Sequence, residues 1–191
     1  MSYSGGVLPR TRAVSALAAA VIAAGSAIAA VDASAATPAG SNDAVKTMPA
    51  LDTSIVQVLN AARAEHGLAP LAVSTRLASA ATFHSREMLR DGYFSHDSAG
   101  GGSAGKRIGR FYPATGYRSW QIGEALLWFS PTVDAASAVR SWLESPPHRA
   151  ILLSSSYREI GVSALHSAAA GGSFGGIELT MITADFGART R

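Results

Sequence analysis

The order in which two hydrophobic periodicities occur along the chain limits its fold more than any other feature. Between Leu51 and Gly92 apolar residues recur at helical spacing, whereas Ile160 to Leu165 and Ile177 to Phe186 read as strands. Ile55, Leu59 and Ala62 mark a first helix, with capping candidates at Asp52-Thr53-Ser54 and a stop at Gly67. Leu77, Ala81, His84 and Met88 mark a second, begun at Ser74 and ended at Asp91-Gly92. Trp120 to Phe129 reads as a strand that encloses Gly123-Glu124. Val133, Ala136, Val139 and Leu143 restore the helical spacing, and Pro146-Pro147 must end that helix because neither ring carries an amide hydrogen. His148 is then expected just past a helix end, with one further turn at Ile151-Leu152-Leu153. The two late strands flank a glycine-rich loop, Ala168 to Gly176, as a hairpin. Helices first and strands late predict an α+β domain whose antiparallel sheet is covered by helices.

The N-terminus has the pattern of a signal peptide. Arg10 and Arg12 precede an apolar run from Ala13 to Val31, and Ala33-Ser34-Ala35 offers a small-residue exit. Cleavage is expected between Ala35 and Ala36, which places the protein outside the cell with no stable membrane span. Residues 36–50, with Pro38, Gly40 and Pro49, read as a flexible linker, and 51–191 as a single domain. There is no cysteine. A secreted domain without disulfides relies on its hydrophobic core, and about 140 residues suffice for one. Removing Arg10, Arg12 and Asp32 takes the formal charge from +3 to +2. The surplus arginines are spread along the chain, so the pI near 9.6 does not imply nucleic acid.

Three polar residues sit beside apolar or aromatic runs: His96 after Tyr93-Phe94-Ser95, Glu124 after Gly123, and His148 after the proline pair. Two imidazoles and a carboxylate suit a divalent metal such as zinc, which in catalytic sites takes three protein ligands and a water. They come from separate segments, so their spacing defines no distance. Ser145 or Ser95 as nucleophile, His148 as base and Glu124 as orienting acid would make a serine hydrolase, but no Gly-x-Ser-x-Gly elbow is present. The same residues could equally form a buried polar network that pins loops to the sheet. His84, on an apolar helix face, reads as a hydrogen-bonded core histidine. Gly100 to Lys106 nearly spells a phosphate-binding loop, but Arg107 stands where Ser or Thr would hold magnesium and no strand precedes the glycines, so the segment is expected to be a loop. Phe111, Tyr112, Tyr117, Trp120, Trp128 and Phe129 are either core or the lining of a groove, and Trp142 reads as core.

Taken in order, several pieces resemble the CAP superfamily, the SCP or cysteine-rich secretory, antigen 5 and pathogenesis-related 1 group, in its bacterial secreted form. Asn60-Ala61-Ala62-Arg63 with Gly67-Leu68-Ala69-Pro70-Leu71 resembles the opening helix and turn, and Tyr93-Phe94-Ser95-His96 the first histidine motif. Gly116-Tyr117 with Gly123-Glu124 resembles the glutamate motif, and Ser141 to Arg149 the second histidine motif. Ile160-Gly161-Val162 and Thr183-Ala184-Asp185-Phe186-Gly187 resemble the terminal strands. The resemblance implies a three-layer α-β-α sandwich with a central, mainly antiparallel sheet and a cleft holding His96, Glu124 and His148, lined in part by Ser145. Ala125 stands where the family usually has Asn, and Ser145 where many members have a second glutamate. Glu144, one residue earlier, is rotated by about 100° on the helix and points elsewhere.

The implied role is that of a monomeric binding module for a lipid, sterol or glycan, or for a protein partner, with no cofactor required. The alternative is a metal-assisted hydrolase with His96, His148 and Glu124 around a divalent ion such as zinc.

Overall fold

The computed structural model describes residues 45–191. The expected signal peptide and cleavage site lie outside the described residues. In chain order the elements are β1 (Lys46–Thr47), α1 (Pro49–Glu65), β2 (Ala72–Val73), α2 (Thr75–Asp91), α3 (Ala104–Phe111), β3 (Ser119–Phe129), α4 (Ala135–Glu144), α5 (Pro146–Leu152), β4 (Glu159–Ala170) and β5 (Ile177–Thr190).

Local chemistry accounts for these boundaries, including those that differ from expectation. Pro49 opens α1, ahead of Leu51, because the first helical amide has no intrahelical acceptor to lose. β1 likewise forms within the stretch expected to be linker. α2 ends on Gly92, whose φ of 66° is the left-handed cap that glycine adopts without a Cβ clash. α3 falls partly in the segment expected to be a loop. The Ser103 side chain accepts from Lys106 N to cap it, and Ile108 is buried on its inner face. Gly105 and Gly109 mask its apolar spacing in the sequence.

The proline pair does two jobs. α4 stops at Glu144, and Pro146 and Pro147 begin α5, where their missing amides cost nothing. His148 therefore stands in the first turn of a helix rather than in a loop beyond one.

The sheet has the order β1-β4-β5-β3, with β2 pairing parallel to β4 and every other pair antiparallel. The β4–β5 hairpin is longer than the alternating pattern suggests, and a single 3₁₀ turn, Gly172–Phe174, closes it. α1, α4 and α5 cover one face through Ile55, Leu59, Trp142 and Leu152, against Ile160, Ile182, Ala184 and Phe186. α2 and α3 cover the other through Met88, Leu77 and Ile108, against Leu126, Leu165 and Met181 with Tyr112. This is the three-layer α-β-α sandwich with a mainly antiparallel sheet. α2 lies so close to β4 that a Cβ on Gly161 would fall 1.9 Å from Ala78 N, so that position admits only glycine.

Candidate functional site

The site is built at β3, which among the described residues pairs with β5 alone. Glu124 lies opposite Asp185 in the β3–β5 register, so both side chains leave the sheet on the same face, toward α2 and α3. Both are buried. The loop after α2 brings His96 to Glu124, with Nδ1 2.8 Å from Oε1. A carboxylate only accepts, so His96 Nδ1 carries the hydrogen. From α3, Arg107 donates Nη2 to Glu124 Oε2, and its Nη1 donates to His96 O at 2.9 Å and Ser98 Oγ at 3.2 Å. The Arg107 and Glu124 side chains are 1% and 3% exposed, whereas that of His96 is 52% exposed. A buried acid and cation thus hold a half-exposed imidazole by one nitrogen.

His148 reaches the site from the opposite layer, on α5. Its Nδ1 lies 3.0 Å from Ser145 Oγ, and Ser145 caps the junction of α4 and α5. Arg63 of α1 fixes the far end of α5, with Nη1 2.6 Å from Leu152 O and 3.0 Å from Ser154 O. Burial first, and the charge of His96 second, push His148 below its ordinary pKa, so the two imidazoles share one electrostatic environment. Among the described residues neither Nε2 has a hydrogen-bond partner.

Of the four cleft residues expected, the fold therefore assembles two pairs, Glu124 with His96 and Ser145 with His148. A Ser145-His148-Glu124 chain is not formed, because the acid that would orient His148 is bonded to the other histidine. Ser95 contributes its carbonyl to His84 and its Oγ to the amide of Asp97. Among the described residues no three His, Asp or Glu side chains are grouped to hold a metal ion. With one oxygen on Arg107 and the other on His96, Glu124 is an orienting acid in this geometry. Glu144 is exposed and lines a groove between α1 and α4, away from these residues.

Two members of the site are not among the residues expected to line the cleft. In the sequence Arg107 reads only as a misfit to a phosphate-loop pattern and Asp185 only as part of a terminal-strand motif, yet Arg107 is the cation that neutralises Glu124. Asp185 lies in the last strand, and both its oxygens are buried without a hydrogen-bond partner. Burial raises the Asp185 carboxyl well above its ordinary range, and the Glu124 charge adds to the shift. Burial also works to raise Glu124, but the hydrogen bond from His96 and the charge of Arg107 outweigh it and hold the acid below its ordinary value. An acid inside the run Met181 to Phe186 is the sign that the sequence offers. The aromatic residues are mostly structural. Tyr112 is buried and Trp120 donates Nε1 to its carbonyl, while Trp128 stacks edge-on to Phe174 and is 37% exposed.

A sandwich with paired histidines and a buried glutamate at its edge defines the class, and sequence comparison agrees. The family model CAP, cysteine-rich secretory protein family, matches residues 56–183, and the chain belongs to this family. YlbC, an uncharacterised membrane protein of Bacillus subtilis, is 37% identical over 109 residues, which are 56% of this chain and 30% of that protein. The crystal structure of an extracellular protein containing an SCP domain from Bacillus anthracis has a TM-score of 0.57 at 27% identity, over 75% of this chain and 41% of that one. An outer surface protein of Borrelia burgdorferi has a TM-score of 0.58 at 18% identity, over 76% of this chain and 99% of that one, which shows the shared fold alone. The chain thus spans less than half the length of the two Bacillus proteins. No helix among the described residues is long and apolar enough to cross a membrane.

Proposed function

We propose that the protein acts outside the cell as a binding module and holds its ligand between His96 and His148. The observation that carries this reading is that each imidazole is fixed through Nδ1, by Glu124 or by Ser145, and keeps Nε2 without a partner. In the neutral form His96 Nε2 accepts a hydrogen bond, which suits a hydroxyl donor such as a sterol or a sugar. Phe94, close to His96 in the loop, is 43% exposed and offers apolar surface for the rest of such a ligand. The extracellular description of the Bacillus anthracis neighbour, together with the leader pattern, supports action outside the cell.

Fluorescence competition with a labelled sterol and a labelled fatty acid, beside a glycan array, tests this reading. One ligand class should bind, and His96→Ala and His148→Ala should each weaken it about tenfold, the scale of one desolvated hydrogen bond. Binding that survives both substitutions would remove the cleft as the site.

The orientation of His96 also favours a second reading. A histidine whose Nδ1–H is held by a carboxylate is the usual form of an imidazole that ligates metal through Nε2. His96 and His148 would be the ligands, with Glu124 behind the first rather than beside it. A bound divalent ion would supply a Lewis acid and a water of lowered pKa. Calorimetric titration with zinc separates the two ideas: metal binding should be lost in His96→Ala and weakened about tenfold in Glu124→Gln. Unchanged heats in both variants would end this reading.

A further inference from the structure

A recess of about 300 Å³ opens between α2, the Ser98–Gly102 turn and α3. Its walls are Phe83 and Glu87 from α2, Gly100, Gly101 and Gly102 from the turn, and Lys106, Arg107 and Arg110 from α3. Charge bookkeeping shows what it would accept. Arg107 is neutralised by Glu124. Glu87 accepts from Tyr93 Oη at 2.8 Å and faces His84 Nδ1 at 3.3 Å. His84 Nε2 lies 2.8 Å from Ser95 O, which can only accept, so that nitrogen carries a hydrogen. Burial lowers the His84 pKa. Burial works to raise Glu87, but hydrogen bonds from Ser98 and Tyr93 outweigh it and hold the acid below its ordinary range, so it places one negative charge in the wall. Lys106 and Arg110 remain. Both are exposed, and among the described residues neither takes part in an ion pair.

Of these cations, Arg110 is held by a side-chain contact and Lys106 is placed by its backbone. The Arg110 guanidinium sits 5.1 Å over the Phe83 ring. Lys106 stands in the first turn of α3, where Ser103 caps its amide. The glycine turn is closed by Gly101 N to Ser98 O and Ser98 N to Gly102 O, both 2.8 Å, and has no side chains to block its backbone. The Arg107 Nε–H is buried without a partner beneath it.

We propose that this recess binds a phosphoryl group, held by Lys106 and Arg110 at the rim and by the backbone of the glycine turn at the start of α3. The arrangement gives the near-match from Gly100 to Lys106 a physical meaning. The turn leads into a helix N-terminus, which favours an anion, and the lysine follows at the rim. Arg107, where Ser or Thr would hold magnesium, makes this a metal-free site for binding rather than transfer. The group could belong to free phosphate or to a lipid headgroup, and the two are separable by experiment.

Amide spectra of the ¹⁵N-labelled protein would be recorded with inorganic phosphate and with glycerol 3-phosphate. Sedimentation would be run with phosphatidylcholine vesicles, with and without phosphatidic acid. Shifts should appear at the amides of Gly100 to Lys106, fade with added salt, and require concentrations about tenfold higher in Lys106→Gln/Arg110→Gln. Both positions are exposed, so the double variant should fold as the parent does, checked by circular dichroism. Saturation by phosphate without vesicle recruitment supports a free anion. Recruitment only by phosphatidic acid vesicles, lost in the double variant, supports a headgroup. The proposal is overturned if neither the soluble anions nor the acidic vesicles perturb these amides, or if the double variant binds as the parent does. His96→Ala and His148→Ala should leave this binding unchanged, which keeps its fate distinct from that of the cleft.

Discussion

The two faces of the sheet are made from the same strands and both pack apolar helix residues, yet their polar content differs. Toward α1, α4 and α5, β5 presents Ile182, Ala184 and Phe186, and the layer closes around Trp142. Toward α2 and α3 the same strand presents Thr183 and Asp185, which meet Ser85, Glu124, Arg107 and His84. Both faces are held by area removed from water, and the second adds buried polar groups that depend on their partners. The difference teaches where change is tolerated: an apolar face loses stability in proportion to what is cut away, whereas a polar face fails when one member of a pair is left alone.

The largest loss should come from the apolar side. Trp142→Ala empties the centre of that layer and strips Leu126 O of its indole partner at 3.0 Å. A cost of about 5 kcal/mol is expected in denaturant unfolding, from the cavity and the orphaned carbonyl together. Next should be Arg107→Ala, at about 3–4 kcal/mol, because Glu124 would then be a buried charge without a cation. Arg107→Met with Glu124→Gln should recover most of that loss, which no second substitution would do for Trp142. If Arg107→Ala costs less than about 1 kcal/mol, the polar face is solvated and the contrast between the faces is wrong.

Each face also carries one acid whose carboxyl is raised, and the sign of its contribution follows. A raised folded-state pKa means that folding takes up a proton, so stability is full below the ordinary value and declines as pH rises through the folded one. Asp52, on the α1 side, accepts from Ala164 N at 2.6 Å, and burial raises its pKa to about 6. Burial raises Asp185 in the same direction. Glu124 runs the other way: its stabilising effect is present above about 4.5 and lost as pH falls below that. Asp52→Asn should therefore flatten the stability profile between about pH 4 and 6, and Asp185→Asn should flatten it from about pH 4 upward and raise stability at neutral pH. Urea midpoints across pH 4 to 8 read both. An Asp185→Asn protein less stable than its parent at pH 7 would show that Asp185 is ionised, with a donor on that face.

Legibility in the sequence follows local pattern rather than sheet face. α1, α2 and α4 announce themselves by period, as Ile55 and Leu59 do for α1, Leu77 and Met88 for α2, and Val139 with Trp142 for α4. The β4–β5 hairpin was legible from its β-branched runs. α5 is hidden because Pro146-Pro147 reads as a stop, when a proline pair is equally a start. α3 was hidden by its glycines. At the site, His96, Glu124, Ser145 and His148 were legible as polar residues in recognisable motifs. Their pairing was not, since it depends on which sheet face each segment approaches. Arg107 lies 17 residues before Glu124, and only the turn at Gly100 to Gly102 followed by α3 brings it back. Asp185 meets Glu124 through strand register, which a one-residue slip would abolish.

The smallest expected effect is the sharpest test of whether the two layers meet at one site. His148 belongs to the apolar side by its helix, and His96 to the polar side by its loop, yet the charge of His96 helps to depress His148. Burial is the larger cause, so His96→Ala should raise the His148 midpoint only in part and leave it below the ordinary imidazole value. Proton NMR of the imidazole resonances, following pH at low salt, reads the shift directly. Added salt should shrink the difference between parent and variant, because the charge effect is screened and burial is not. The parent's depressed midpoint also fixes a sign: the neutral form of His148 is favoured by folding, so its contribution to stability is lost as pH falls through the ordinary imidazole range. A His148 midpoint that ignores His96→Ala at every salt concentration would mean that the two imidazoles do not share a cleft, and a ligand could then bind one without the other.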